Sequence, residues 1–115
     1  MKLTIERDRF VPGGRVRGRV HVEKGGLQEI QVGLLFREEV PNLDATTRQV
    51  LAPDFEGSGD IPAGAVLPFE IEVPADAPPN FKTKHAELFW EVVAATDRVG
   101  ADSPVSQKVE IRAPL

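Results

Sequence analysis

Three arginines at alternate positions are the first candidate for a binding site. Arg15, Arg17 and Arg19 are separated by single apolar or small residues, so on a β-strand their side chains would share one face. Guanidinium groups in such a row could bind phosphate or a carboxylate-rich peptide. A neighbouring acidic strand would instead pair with them, and Glu70 and Glu72 have the matching spacing. We expect this charge ladder, with the ligand site as the alternative.

An apolar patch on the outside of a sheet is the second candidate. Leu35 is out of phase with the apolar residues of its own segment, and Phe89 and Val93 are out of phase with those of theirs. A contiguous exposed apolar patch is typical of an interface, and a homodimer would be its simplest use. Cover by a loop, either 54–64 or 75–84, is the alternative.

The residues that could bind a metal or perform catalysis lack the required spacing. The acidic loop residues lack the dense pattern of a calcium loop; they are Asp54, Glu56, Asp60, Asp97 and Asp102. His21 and His85 are far apart in the sequence, and each lacks a second soft ligand nearby. The serines lie in no nucleophile motif, and the chain has neither Cys nor Tyr. We therefore expect no enzymatic activity, no cofactor and no metal site.

Charge and composition restrict the classes of partner. The net charge of −4 and the pI of about 5.2 argue against a nucleic-acid partner. The N-terminus alternates apolar and charged residues, so we expect neither a signal peptide nor a membrane span. Together with the absence of Cys, this predicts a cytoplasmic protein. The ten prolines, with Asn and Met both scarce, suit a thermophile, although a biased genomic base composition would give the same pattern.

Gly and Pro divide the sequence into short segments in which apolar and polar residues alternate. This pattern predicts about seven strands, near residues 3–5, 15–23, 27–38, 46–51, 67–73, 86–96 and 105–111. The whole chain, 1–115, is therefore expected to form one all-β domain, an immunoglobulin-like antiparallel sandwich. In that topology the second strand lies between the first and the fifth. The segment 46–51 is expected at a sheet edge, protected by Arg48 and Pro53.

The aromatic residues in phase with the apolar faces predict the core. Trp90, Phe36 and Phe69 should be buried at the centre of the sandwich. Gly18 is in phase with three valines and leaves space for a large ring. We expect that ring to be Trp90, so that a side chain added at Gly18 would overpack the core.

The order of these motifs resembles the N-terminal domain of arrestin-like proteins, including the bacterial sporulation-control proteins. Residues 2–20 combine a first strand, a turn at Pro12-Gly13 and a Val-x-Gly-x-Val strand. Residues 67–74 match the Pro-Phe-x-apolar-x-apolar-Pro strand of these proteins, and a second proline element, Pro78-Pro79, follows. The strand around Trp90 matches their aromatic-x-Val-x-Ala strand. The resemblance covers residues 2–112, although arrestins have two such sandwiches and this chain has one.

The resemblance implies a non-catalytic adaptor or scaffold domain that binds a protein partner. Binding would use an outer sheet face or an edge strand, where an extended peptide can add to the sheet. The arrestin switch depends on a polar core between two sandwiches, so it does not carry over to this chain. An accessory module that binds carbohydrate or Ca²⁺ is the alternative. It would require loop carboxylates together with exposed aromatic residues.

Overall fold

Alternating residues form nearly all of the regular structure in the computed structural model, which describes residues 1–23, 27–53, 55, 57–96 and 104–113. The strands are β1 (Lys2–Ile5), β2 (Arg9–Phe10), β3 (Arg15–His21), β4 (Leu27–Val40), β5 (Leu43–Leu51), β6 (Ser58–Ile61), β7 (Val66–Glu72), β8 (Phe81–Lys82), β9 (Glu87–Thr96) and β10 (Val105–Ile111). Within these described ranges, no helix is long and apolar enough to cross a membrane.

The strands form the two layers of an all-β sandwich. The smaller sheet has the order β1-β3-β7, and the larger has the order β2-β10-β9-β4-β5, with β6 beside β4 and β8 beside β9. Seven of them, β1, β3, β4, β5, β7, β9 and β10, are the strands that the alternation predicts. β3 lies between β1 and β7, which confirms the predicted neighbours of the second strand, and β5 lies at an edge as expected.

Three further strands, β2, β6 and β8, form where the sequence predicts only turns or loops. β2 follows β1 closely and pairs in parallel with the end of β10, so the chain crosses from the smaller sheet to the larger one. β6 pairs with the start of β4, and β8 pairs with the start of β9. β2 and β8 have only two residues each, and β6 has a single apolar residue, Ile61, so none of the three shows an apolar period of two.

The core lies between the two layers and is centred on aromatic residues. Trp90, Phe36 and Phe69 are all buried, as predicted. The rings of Phe36 and Trp90 face each other across β4 and β9, with their centroids 4.8 Å apart at an interplanar angle of 35°. Such tilted pairs add to the burial of apolar area.

The ring nearest to Gly18 belongs to Phe69, so the expectation of Trp90 at that place is wrong. Gly18 and Phe69 are cross-strand partners on β3 and β7. A Cβ atom added at Gly18 would lie 2.7 Å from Cζ of Phe69 and would overlap the carbonyl oxygen of Thr4. The prediction that Gly18 points inward is correct. The register of the smaller sheet, however, places Phe69 of β7 beside Gly18.

Asn80 fixes the long connection between β7 and β9 against β10. Its side-chain amide donates to the carbonyl oxygen of Val109 at 2.8 Å, and its side-chain oxygen accepts from the N–H of Ile111 at 3.1 Å. The backbone N–H of Asn80 also donates to the carbonyl oxygen of Ile111. One residue thus satisfies backbone groups where β10 diverges from β9, because an amide side chain can both donate and accept.

Candidate functional site

The arginine row, Arg15, Arg17 and Arg19, lies on the outer face of β3 and pairs with β7 in part. Glu70 accepts from Nη1 of Arg15 at 2.8 Å and from Nε of Arg17 at 3.2 Å. Arg19 lies opposite Pro68 in the register, and Glu72 lies opposite Arg15. Among the residues that the structure describes, neither Arg19 nor Glu72 has an ion-pair partner.

A shallow groove of about 650 Å³ runs over the arginine row. Its charged lining residues balance, since three arginines face three glutamates; they are Arg15, Arg17, Arg19, Glu6, Glu70 and Glu72. All the paired groups are well exposed, so each ion pair contributes about 0–1 kcal/mol. The groove therefore has little net attraction for an anion. Its arginines Arg15 and Arg17 are paired with Glu70, as in the expected charge ladder.

The out-of-phase apolar residues lie on the outer face of the larger sheet. Phe89 is opposite Arg37, and Val93 is opposite Gly33, while Leu35 is opposite Glu91. Charged residues thus interrupt the patch. Leu35 and Val93 are half-buried, and Phe89 is only 3% exposed.

The charged side chain of Lys108, from the same sheet, lies over Phe89. The ammonium group of Lys108 lies 4.2 Å from the centroid of the Phe89 ring, and it also donates to Glu87 at 3.0 Å. A cation over an aromatic face is attracted to the ring while its aliphatic stem shields apolar area. Lys108, on β10, therefore covers the ring of Phe89.

A half-buried ion pair at the centre of this face was not predicted from the sequence. Nη1 of Arg37 donates to Oε1 of Glu91 at 2.9 Å, and the Glu91 side chain is only 10% exposed. The hydrogen bond to Glu91 raises the pKa of Arg37 above its usual value, with smaller contributions from the charges of Glu91, Asp44 and Glu39. Nε of Arg37 is buried and has no partner among the described residues. The available signal is a charged residue that directly follows a buried aromatic residue on each of two adjacent strands, Arg37 after Phe36 and Glu91 after Trp90.

The exposed edge of β5 is the longest open edge of the larger sheet. None of its nine residues is buried. Its register with β4 shifts between Phe36 and Arg37, so Thr47 is an extra residue that forms a bulge. Thr47 donates its hydroxyl to the carbonyl oxygen of Phe36 at 3.3 Å. Arg48, predicted to protect the edge, donates to Asp76 at 2.7 Å and ties this edge to the loop after β7.

The hydrogen-bond pattern shows which backbone groups of β5 face outward. The N–H of Ala52 donates to the carbonyl oxygen of Val32 at 3.0 Å, in the same register as β5. Hydrogen-bonded and non-hydrogen-bonded pairs alternate in an antiparallel ladder. Leu51 and Gln49 therefore direct their N–H and C=O groups away from β4. The outward N–H and C=O groups of Leu51 and Gln49 form the β5 edge, and they could bond to an added strand.

The predicted acidic loops are only partly described. Asp54, Glu56, Asp97 and Asp102 lie outside the described residues, and Asp60 is exposed on β6. Within the described part of the chain, no three metal-binding side chains form a group that could hold an ion. His21 contacts Thr4, with 3.2 Å between Nε2 and Oγ1, and His85 is exposed at a distant turn.

Comparison with known proteins gives a match in structure. No protein-family model matches the sequence, and no curated protein matches it. Among solved structures, the chain is similar to Spo0M, a sporulation control protein from Bacillus subtilis, with 23% identity and a TM-score of 0.67. The match covers 98% of this chain and 49% of the Spo0M chain, so this chain spans about half the length of Spo0M. The chain therefore has the arrestin-like β-sandwich fold that is found in Spo0M.

Proposed function

We propose that this domain is a non-catalytic protein-interaction module that binds an extended segment of a partner protein along the β5 edge. The observation that carries the proposal is the outward direction of the backbone groups of Leu51 and Gln49 at an edge strand with no buried residue. An added strand would satisfy these groups, because backbone hydrogen bonds supply affinity in this mode of recognition.

The outer face of the larger sheet supports binding less well than its edge. Phe89, its largest apolar residue, is already covered by Lys108, and Glu91 is engaged by Arg37. A partner on this face would need to displace both contacts and would gain little apolar area in return. The β5 edge needs no such displacement.

The groove over the arginine row is also a weaker candidate. Its balanced charges and exposed ion pairs give no strong preference for a ligand of either sign. The proposed adaptor function therefore rests on the β5 edge and on the architecture shared with Spo0M, which is itself described as a sporulation control protein.

A matched pair of substitutions at Gln49 tests the proposal. Gln49→Pro removes one outward N–H group and leaves the β4–β5 hydrogen bonds in place, as proline is tolerated where the N–H faces solvent. Gln49→Ala keeps the N–H group and is the control. Both variants should retain the circular dichroism spectrum and the unfolding midpoint of the wild type.

The binding measurement uses peptides selected from a displayed random library on the wild-type domain. Selected peptides should bind Gln49→Ala like the wild type and bind Gln49→Pro at least about tenfold more weakly, since a lost main-chain bond leaves its partner unpaired. Equal binding to Gln49→Pro would reject the β5 edge. Calorimetry with Ca²⁺ and simple sugars tests the accessory-module alternative, and saturable heat from either would favour it.

A further inference from the structure

The bulge in β5 places chemically different side chains in one column along the outer side of the β5 edge. Leu51 and Asp44 are seven positions apart, an odd spacing that would normally put them on opposite faces. Thr47 is the extra residue, so Leu51 pairs with Gly33 and Asp44 pairs with Glu39, and both pairs lie on the outer face. The outer column of β5 is therefore Leu51, Gln49, Thr46 and Asp44.

One end of this column carries an excess of negative charge. Asp44 lies opposite Glu39, and Glu39 lies opposite Glu87 on β9. Glu87 is paired with Lys108, but within the described ranges no cation lies at ion-pair distance from Asp44 or Glu39. Arg37, on the same face, forms its ion pair with Glu91 and acts on Asp44 and Glu39 only through its charge, without a hydrogen bond to either. Like charges directly opposite on adjacent strands are destabilising, so a cation added beside them would be favoured.

The other end of the column is apolar. Leu51 is 50% exposed, and its Cδ2 atom lies 3.4 Å from the position of a Cβ added at Gly33. A small groove of about 180 Å³ continues from Leu51 past Ala52 to Phe55, and Glu29, Gln31 and Ser58 also line it. An apolar side chain beside Leu51 would bury area that is now in water.

We infer that the segment bound at the β5 edge is a basic, amphipathic strand with an apolar residue near its N-terminal end and Lys or Arg six residues later. This inference rests on the proposed function. An antiparallel partner would run from Leu51 towards Asp44, and antiparallel pairing is slightly more stable than parallel pairing. This interval of six positions equals that from Gly33 to Glu39 on β4, which pair with Leu51 and Asp44. Complementary charge then selects the partner as well as its direction.

A second copy of this chain fits the edge less well. Two β5 strands paired antiparallel along their length would place the acidic end of each, at Asp44, beside the apolar end of the other, at Leu51. Neither end would gain a complementary neighbour. Charge complementarity therefore favours a basic peptide over a homodimer through β5.

Two capped peptides of identical composition provide the test. The first is acetyl-Leu-Thr-Thr-Thr-Val-Thr-Lys-amide, and the second has the reverse order. Titration of the ¹⁵N-labelled domain, followed by amide shifts of Gln49 and Leu51, should show the first peptide binding about fivefold tighter, as expected for complementary contacts at both ends. Asp44→Asn should reduce this ratio, while Asp60→Asn, which removes the same charge from β6, should preserve it. High salt should also reduce the ratio.

Equal affinity for both peptides, with both lost on Gln49→Pro, would overturn the inference and leave the proposed function intact. The inference would also be overturned, and the proposed function left intact, if neither peptide bound. In that case library peptides that lack an apolar N-terminal end and a basic C-terminal end would bind at the β5 edge. A dimer in sedimentation that Gln49→Pro dissociates would show that the occupant is a second copy. Failure of every peptide to depend on Gln49 would instead reject the proposed function.

Discussion

The indole of Trp90 donates its Nε1 hydrogen to the carbonyl oxygen of Pro78 at 2.8 Å, and so joins the centre of the core to the long connection before β9. Trp90 is fully buried. Its N–H could find no water there, and the loop carbonyl takes the place of water. The proline element at Pro78-Pro79 thus has a structural role, because it presents a carbonyl group to the core.

Replacing Trp90 with Phe should remove this bond while keeping an aromatic ring. The Pro78 carbonyl would lose its donor at a cost of about 1–3 kcal/mol, and the smaller ring would add to the loss. Urea denaturation followed by circular dichroism measures the change in the free energy of unfolding. In the wild type, the indole N–H should exchange slowly with deuterium. Rapid exchange, or a loss below about 0.5 kcal/mol for Trp90→Phe, would contradict the bond.

The second prediction compares two glycines of the sheets. Gly18→Ala should lower the free energy of unfolding by about 1–3 kcal/mol, since the added Cβ overlaps the Thr4 carbonyl oxygen and presses on Phe69. The Thr4 oxygen is part of the backbone and cannot rotate away. Gly33→Ala is the matched control, because its Cβ would meet only contacts of 3.4 Å or more. Equal losses for the two variants would show that Gly18 is not constrained by Phe69.

The alternation of apolar residues was sufficient to predict the core strands but not their registers. Val16 and Val92 are buried as their phase requires, and β3 has the predicted neighbours. The register between strands could not be predicted from the sequence. A shift of one residue would turn a whole strand to the other face, but shifts by an even number of residues keep the same faces and fit the same pattern. The choice of Phe69 over Trp90 beside Gly18 depends on that register.

The same limit explains which site features were missed. Topology correctly predicted that the arginine row lies beside the acidic strand, yet only the register shows that Arg19 faces Pro68. Thr46 and Thr47 are both polar and interrupt the alternation, which indicates an irregular strand without identifying the extra residue. Only the structure therefore shows the bulge, which places Asp44 and Leu51 on the same face.

The third prediction concerns the half-buried pair of Arg37 and Glu91. Glu91→Ala should cost about 2–3 kcal/mol, as it leaves the Arg37 guanidinium partly buried beside a second unsatisfied atom, its own Nε. The more exposed pair of Lys108 and Glu87 is the comparison. Lys108→Met retains the apolar stem over Phe89 and should cost less than about 1 kcal/mol. Denaturation midpoints that rank the two variants in the opposite order would contradict this account.

The fourth prediction is a pH dependence that arises at the β5 edge. The hydrogen bond from Arg48, and then its charge, hold the pKa of Asp76 below its usual value. A carboxyl group with a lower pKa in the folded state stabilises the fold above its unfolded-state pKa, and this contribution disappears as the pH falls through the folded-state value. Because Asp76 is largely exposed, the effect should be small but measurable as a titration.

Carboxyl-carbon NMR titration of the wild type and of Arg48→Gln measures this effect. The pKa of Asp76 should rise towards its usual value in Arg48→Gln. The stability difference between the two proteins should be constant near neutral pH and should shrink in acid. Arg19→Gln is the control, since Arg19 has no ion-pair partner in the described part of the chain, and its stability difference should not vary over that range. An unchanged Asp76 titration in Arg48→Gln would mean that the contact at 2.7 Å does not persist in solution.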